Sequence, residues 1–286
     1  MDRKLLTDEQ MQRFIVDGYL MLKSGLPAEF HKQVFDEIDS VYENEGNPGN
    51  NLLPRIPLFQ QVFDEPQISG GLESVLGTGC FLYPHRHCHF RETGFVPRGG
   101  ANTDPKLGGF GGRLHRDGMS RRRHRTRWAL CLYYPQDTTA DMGPTTVLPG
   151  SQYYNSLAGV DLNREFPLCV DAGTVVLTSY DLWHAATPNS SEKKRALVKF
   201  MFARMNEPLS PSWDSEIQDW QPAADVAHPS LRKHIWDWHC GKRNGEFEVG
   251  GNPPAASIEE LVKTASENSA LDNTQQPGRS EPVWLD

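Results

Sequence analysis

From Gly79 to Arg204 the chain reads as short runs rich in β-branched and aromatic residues, cut at close intervals by glycine and proline. The runs are CFLYPHRHCHF, TRWALCLYYP, TTVLPG, GTVVLTS and RALVKFMFAR. Such residues favour extended backbone, where their side chains pack on a pleated surface, and the breakers between them favour tight turns. A parallel α/β sheet would need helices interspersed at regular intervals, and none are visible in the pattern. The texture therefore predicts a jelly roll, in which two antiparallel sheets pack face to face and can enclose a pocket.

Helices are expected before this β-rich stretch. Thr7 with Gln10 three residues later is a capping-box signature, and Met11, Phe14, Ile15 and Tyr19 follow at helical spacing. Pro27 suits the first turn of a second helix whose apolar face holds Phe30, Val34, Ile38 and Val41, ending before GNPGN. Both are expected to pack on a sheet. Residues 1–206 are expected to form the main domain and residues 207–286 a C-terminal extension packed on it. In the extension, PLSPSW and HIWDWHCGK precede the Gly- and Pro-rich EVGGNPPAAS and a second capping-box pattern at Ser257 and Glu260. A partly flexible polar tail is expected after Asn268.

At 286 residues with 37% hydrophobic content, the chain can bury a sizeable core. Its formal charge of −8 argues against general affinity for nucleic acid, which depends on accumulated positive charge. MDRKLLTDEQ has neither the apolar core nor the cleavage pattern of a leader, and no later run approaches membrane-spanning length. Five scattered cysteines without paired metal spacing fit reduced thiols, so the expected setting is the cytoplasm, with no membrane partner. The oligomeric expectation is a monomer or homodimer.

The chemistry concentrates in RLHRDGM, DLWHAATPN and SEKKRALVKFMF. On an extended segment His115 and Asp117 share a face while Arg116 points away, and facing strands of a jelly roll would bring His184 to the same point. Two histidines and one carboxylate on one side of a metal leave positions open, which suits non-haem Fe(II) that binds a co-substrate and O2 together. Zinc accepts the same ligand types and keeps a hydrolytic alternative open. TPNSSEKK reads as a turn that would set Arg195 roughly opposite His184 in a hairpin. There its guanidinium could grip the far carboxylate of a short diacid chelated by the metal, such as 2-oxoglutarate.

These segments, together with TDEQMQRFIVDGYLML, LHRDG, MGPTTVLPGSQ and AGTVVLTSYDLWHAATPNSSEKKRALVKFMF, resemble the phytanoyl-CoA dioxygenase family of Fe(II)- and 2-oxoglutarate-dependent oxygenases. The resemblance spans most of residues 7–204 and is strongest from Arg113 onward. It implies a mainly β, cupin-like double-stranded β-helix in which His115, Asp117 and His184 hold iron and Arg195 binds 2-oxoglutarate. The family often carries a hydroxyl two residues after the distal histidine; this chain has Ala186 there, with Thr187 next. The implied reaction converts 2-oxoglutarate and O2 to succinate and CO2 while oxidising an unactivated carbon of a small molecule. Hydroxylation is the commonest outcome, with desaturation, cyclisation and demethylation as alternatives. Related halogenases replace the metal-binding carboxylate with a small residue, and Asp117 argues against that chemistry. A non-catalytic jelly roll that binds a partner is the alternative of another class.

Four residues are candidates for the substrate pocket: His85, His87, Arg122 and Trp128. His85, His87 and His89 alternate on one strand face with Cys88 opposite, a spacing that prevents easy convergence on one ion but permits pocket lining or ordinary hydrogen bonding. Seven arginines between Arg113 and Arg127 could receive an anionic substrate or form a solvated, ion-paired loop. Trp128 can line the pocket or belong to the core. KLGGFGG, residues 106–112, lacks the context of a nucleotide-binding turn and reads as a lid or a simple connection. Trp220, Trp236 and Trp238 fit packing better than ligand binding.

Overall fold

The structure is a computed structural model that describes residues 2–97, 114–118, 125–154, 157, 160–224, 226 and 228–242. Helix α1 (Asp8–Asp17) starts at the expected capping box: Thr7 Oγ1 accepts from Gln10 N at 3.3 Å and Gln10 Oε1 accepts from Thr7 N at 3.0 Å. Gly18, at φ +83°, ends the helix, so Tyr19 opens strand β1 (Tyr19–Lys23) instead of extending the helical face. Pro27 caps α2 (Ala28–Glu45), which buries His31, Val34, Ile38 and Val41. Three further helices follow that the sequence pattern had not marked: α3 (Leu52–Arg55), α4 (Phe59–Asp64) and α5 (Pro66–Leu76).

Strands β2 (Phe81–Arg91), β3 (Trp128–Tyr134), β6 (Thr174–Ser179) and β8 (Arg195–Ala203) join β1 in an antiparallel sheet of order β1-β6-β3-β8-β2. Short strands β4 (Thr146–Val147), β5 (Phe166–Pro167) and β7 (His184–Ala185) form the second sheet, in order β5-β4-β7. The architecture is the expected one, mainly antiparallel β with helices on the flank.

Alternation along the central strands divides two cores. Cys131, Tyr133, Val175, Leu177, Val198, Phe200 and Phe202 face the helices and pack with Met11, Phe14, Val34, Ile38, Phe59 and Phe63. Leu130, Leu132, Tyr134, Val176, Leu197 and Met201 face inward and meet Val147 and Leu168 of the second sheet and its loop. Helix α6 (Pro229–His239) packs on the helical layer through Leu231, Ile235 and Trp236. Trp213 donates to Asp8 Oδ1 at 2.6 Å and lies 5.0 Å, centroid to centroid, from Trp236. No described helix is long and apolar enough to cross a membrane, and all five cysteines are free thiols.

Phe200 is fully buried, with ring centroids 4.6 Å from Phe63 and 5.4 Å from Phe59. Phe200→Ala should cost about 3 to 5 kcal/mol in urea unfolding, because rigid helices on one side leave a cavity that collapses poorly.

His31 bonds Tyr133 Oη at 2.7 Å and Ser24 Oγ at 3.3 Å, tying α2 to the sheet. Burial pushes its pKa below the ordinary 6.5, burial and then Arg232 push His228 down to about 4, and burial and then Arg204 push His239 well below its usual range. The unfolded chain binds these protons near pH 6.5 whereas the folded chain resists them, so their stabilising effect is complete above 6.5 and declines as pH falls towards 4. Urea midpoints should drop steadily across that window, and a flat profile would contradict the assignment of these groups as neutral in the fold.

Candidate metal centre

The second sheet and the segment around His115 bring together the three candidate ligands. His184 on β7 pairs with Val147 of β4. Its backbone also forms an isolated antiparallel bridge with His115, N to O at 2.8 Å and 2.7 Å. The expected strand around His115 is thus a single bridge, and Asp117 lies in a bend held by Gly118 N donating to Tyr180 O at 3.0 Å. Alternation still applies across it. Leu114 packs with Trp183, and Arg116 donates to Tyr154 O at 2.9 Å, both away from the side that carries His115 and Asp117. The Leu-Pro-Gly-Ser turn clips this region together, since Trp183 N donates to Ser151 Oγ at 3.1 Å and Leu148 N to Trp183 O at 2.9 Å.

Ligand atoms of His115, Asp117 and His184 lie within 4.8 Å of one another. His184 Nε2 is 3.8 Å from Asp117 Oδ2, and the two imidazole centroids are 4.4 Å apart. His184 Nδ1 donates to Leu182 O at 2.9 Å, which fixes the tautomer and leaves the Nε2 lone pair for a metal. Burial alone would raise the Asp117 pKa, but Lys199, His184 and His115 outweigh it and hold the carboxyl ionised well below its usual range. Two imidazole nitrogens and one carboxylate, needing only side-chain-scale adjustment to share bonds of about 2 Å, fit a divalent transition metal with open positions.

Arg195 enters from the opposite sheet. β7 pairs with β4 whereas β8 pairs with β2 and β3, so the predicted His184–Arg195 hairpin is replaced by a crossing between sheets. The two residues face the same interior from two sides. Arg195 is 1% exposed; one terminal nitrogen donates to Gly143 O, the other to His89 O at 3.5 Å, and Nε has no partner. Among the described residues no carboxylate forms an ion pair with it, and burial lowers its pKa. A buried guanidinium in this condition fits an anion held in a fork. Gly143 adopts φ +71°, and a Cβ there would sit 2.7 Å from Thr187 O, which accounts for glycine at the turn that presents this carbonyl. Thr187 Oγ1 donates to Pro144 O at 2.5 Å, so its hydroxyl is engaged with the backbone, and Ala186 offers none.

The histidine strand faces the same interior. His87 lies opposite Lys199, His89 opposite Leu197 and Arg91 opposite Arg195, with Cys88 in the helix-side core. His85 is buried near Asp117 and Lys199, and burial followed by the Lys199 charge pushes its pKa down to about 4. His87 turns to Asn47, whose Nδ2 is 3.1 Å from Nε2. Trp128 packs on the inner face, edge-on to Tyr83 at 5.2 Å and 6.4 Å from Tyr180. Arg122 and the rest of 121–124, the Gly-rich run 106–112 and the second capping box lie outside the described residues. Of the described part of the arginine cluster, Arg125 and Arg127 pair with Glu207.

Lys199 of β8 also reaches this cluster. Its Nζ donates to Asp117 Oδ2 at 3.3 Å. The available signal was a lysine in an otherwise apolar strand, four residues beyond Arg195 and so on the same face.

A jelly roll with two histidines and a carboxylate gathered between its sheets, faced by a buried arginine, is the architecture of a non-haem metal oxygenase. The family model for phytanoyl-CoA dioxygenase (PhyH) matches residues 14–197, and the chain belongs to this family of Fe(II)- and 2-oxoglutarate-dependent oxygenases. No curated protein matches it in sequence. Solved structures of similar fold include HygX from Streptomyces hygroscopicus with nickel and 2-oxoglutarate bound, 18% identical, covering 77% of this chain and 96% of that one with a TM-score of 0.53. The alpha ketoglutarate dependent epimerase SnoN from nogalamycin biosynthesis is 16% identical over 77% of this chain and 91% of its own, TM-score 0.52. The non-heme monooxygenase ThoJ in its nickel complex is 15% identical over 92% and 95%, TM-score 0.50. At such identities the likeness concerns the fold.

Asp117→Ala should weaken Ni(II) or Fe(II) binding by more than the roughly 10- to 100-fold typical of losing an outer-shell partner. Titration calorimetry on native and variant protein checks this, and equal affinities would remove Asp117 from the ligand set.

Proposed function

We propose that His115, Asp117 and His184 hold the iron, that Arg195 binds the far carboxylate of 2-oxoglutarate, and that the enzyme hydroxylates an unactivated carbon of a small polar or anionic metabolite or natural-product intermediate. The convergence of the three residues opposite a buried arginine that has no carboxylate partner among the described residues carries this reading. Bound iron would supply the oxidative chemistry that couples loss of CO2 from 2-oxoglutarate to oxidation of a substrate C–H bond. The chain's own residues perform the positioning. His184 Nδ1, tied to Leu182 O, aims Nε2 at the metal, and the depressed pKa keeps Asp117 an anionic ligand. Arg195 and the Lys199 that touches Asp117 lie four residues apart on one face of β8, about 13 Å of strand, so arginine and diacid together span from the sheet end to the metal.

The pocket wall of His85, His89 and Trp128 supports a substrate of mixed aromatic and polar character. SnoN has been solved with Fe3+, alpha ketoglutarate and nogalamycin RO, which supports a small-molecule substrate here; its printed activity is epimerisation, so product analysis must accompany turnover. Free thiols support a cytoplasmic setting.

Anaerobic addition of Fe(II) and 2-oxoglutarate should give a visible charge-transfer band, and metal-loaded, folded protein that gives none would refute the assignment. Arg195→Leu should raise the dissociation constant for 2-oxoglutarate at least about thirtyfold, corresponding to the lower end of the roughly 2 to 5 kcal/mol for truncating a buried charged pair. Its urea midpoint should be unchanged or higher, since the charge removed is buried and has no carboxylate partner among the described residues. Screening metabolites for stimulated succinate release, with mass spectrometry of the products, tests substrate and outcome together.

A further inference from the structure

Lys199 is buried, with its side chain 8% exposed, on the inner face of β8. An ammonium carries three N–H donors. Among the described residues its side chain has one hydrogen-bond acceptor, Asp117 Oδ2 at 3.3 Å, which leaves donor capacity unused. Among the described residues no second carboxylate pairs with it; the buried Asp181 lies against Gly118 instead. Leu132 of β3 and His87 of β2 are its cross-strand neighbours, and His85 and His89 lie close enough for its charge to disfavour their protonation. Lysine is almost never buried unless paired, and Asp117 is a partner that a metal would also claim.

Charge balance sharpens this point. A bound divalent metal, Lys199 and Arg195 bring four positive charges to the interior. Among the described residues Asp117 and Asp181, with the dianion of 2-oxoglutarate, bring four negative ones. Arg91, opposite Arg195 and with its guanidinium near His89, adds a further positive charge at the distal end. An enclosed site of low polarity penalises such an excess heavily.

We propose that Lys199 is a carboxylate receptor beside the metal, and that the primary substrate supplies that carboxylate close to the carbon being oxidised. This rests on the assignment of His115, Asp117 and His184 as the metal ligands. The same chemistry could be met by the metal-proximal carboxylate of 2-oxoglutarate. The substrate source is favoured because the dianion is already counted in the balance and a positive charge remains. The substrate class is thus a carboxylic acid, and Trp128 with Tyr83 and Tyr180 on the same interior surface accommodates an aromatic or otherwise flat body.

The test uses full-length protein loaded with Ni(II), comparing native, Lys199→Met and Lys199→Arg. Methionine keeps the length of the side chain without its charge, and arginine keeps the charge. Three affinities are measured by calorimetry: for Ni(II) alone, for 2-oxoglutarate at saturating metal, and for benzoate and acetate on the metal and 2-oxoglutarate complex, with their methyl esters as neutral controls. The expected result is that the acids bind and the esters do not, and that Lys199→Met weakens acid binding by at least about tenfold, as for loss of one charge-assisted hydrogen bond, while Lys199→Arg retains most of it. A comparable loss confined to 2-oxoglutarate would support the carboxylate receptor but assign the co-substrate as its source. If Lys199→Met alters only Ni(II) affinity, Lys199 serves Asp117 alone and the proposal is overturned. Unchanged 2-oxoglutarate affinity with no Lys199-dependent binding of either acid overturns it equally. Failure of the native protein to bind Ni(II) would instead refute the metal-centre assignment, which separates the two.

Discussion

The alternation of β8 is the constraint on which the rest depends. One face of this strand, Ala196, Val198, Phe200 and Phe202, is apolar and seals against the helices, while the other carries Arg195, Leu197 and Lys199 into the space between the sheets. A one-residue slip would place both cations in the helix-side core and remove the aromatic anchors from it. The helical layer therefore does more than cover a sheet. By burying the Phe59, Phe63 and Phe200 contacts it fixes the register that aims both charges inward.

Much of this was legible in the sequence because the signals were local. Thr7 and Gln10 make the cap they promise, and the spacing of Val34, Ile38 and Val41 gives the buried face of α2. The five β-rich runs correspond to β2, β3, β4, β6 and β8. What failed depended on tertiary pairing. TPNSSEKK has hairpin composition, yet His184 and Arg195 belong to different sheets, because β7 is only two residues long and finds its partner in β4. His115 and Asp117 point as a strand would have them point, although a single bridge replaces the strand. Helices α3, α4 and α5 were hidden because short elements packed on a core need little periodicity of their own. Lys199 is not legible from sequence alone, because one charge in RALVKFMFAR gains meaning only when the parity of the strand is tied to Asp117.

The residues that break local rules are the ones that define the site. Arg195 and Lys199 lie in a strand buried on both faces, and His85 and His89 stand where apolar side chains would pack more readily. Burial keeps the imidazoles neutral, so they provide polar contacts without adding to the positive charge. Such choices oppose stability in the protein alone and are consistent with a site completed by anions and a metal.

The two ends of the site also differ in how firmly they are held. Arg195 opens a nine-residue strand and pairs there with Arg91 of β2, and its guanidinium is braced by Gly143 O and His89 O. His115 and Asp117 occupy a short segment held by the single bridge to His184 and by the Gly118 contact with Tyr180, with His184 itself on a two-residue strand. On the proposed assignment, the distal carboxylate site is thus built on the larger sheet, whereas the metal ligands lie on a segment held by few backbone hydrogen bonds. That division would suit the proposed interior, with the organic co-substrate fixed at one end and the metal gripped at the other, and Lys199 contacting Asp117 from the larger sheet and so joining the two.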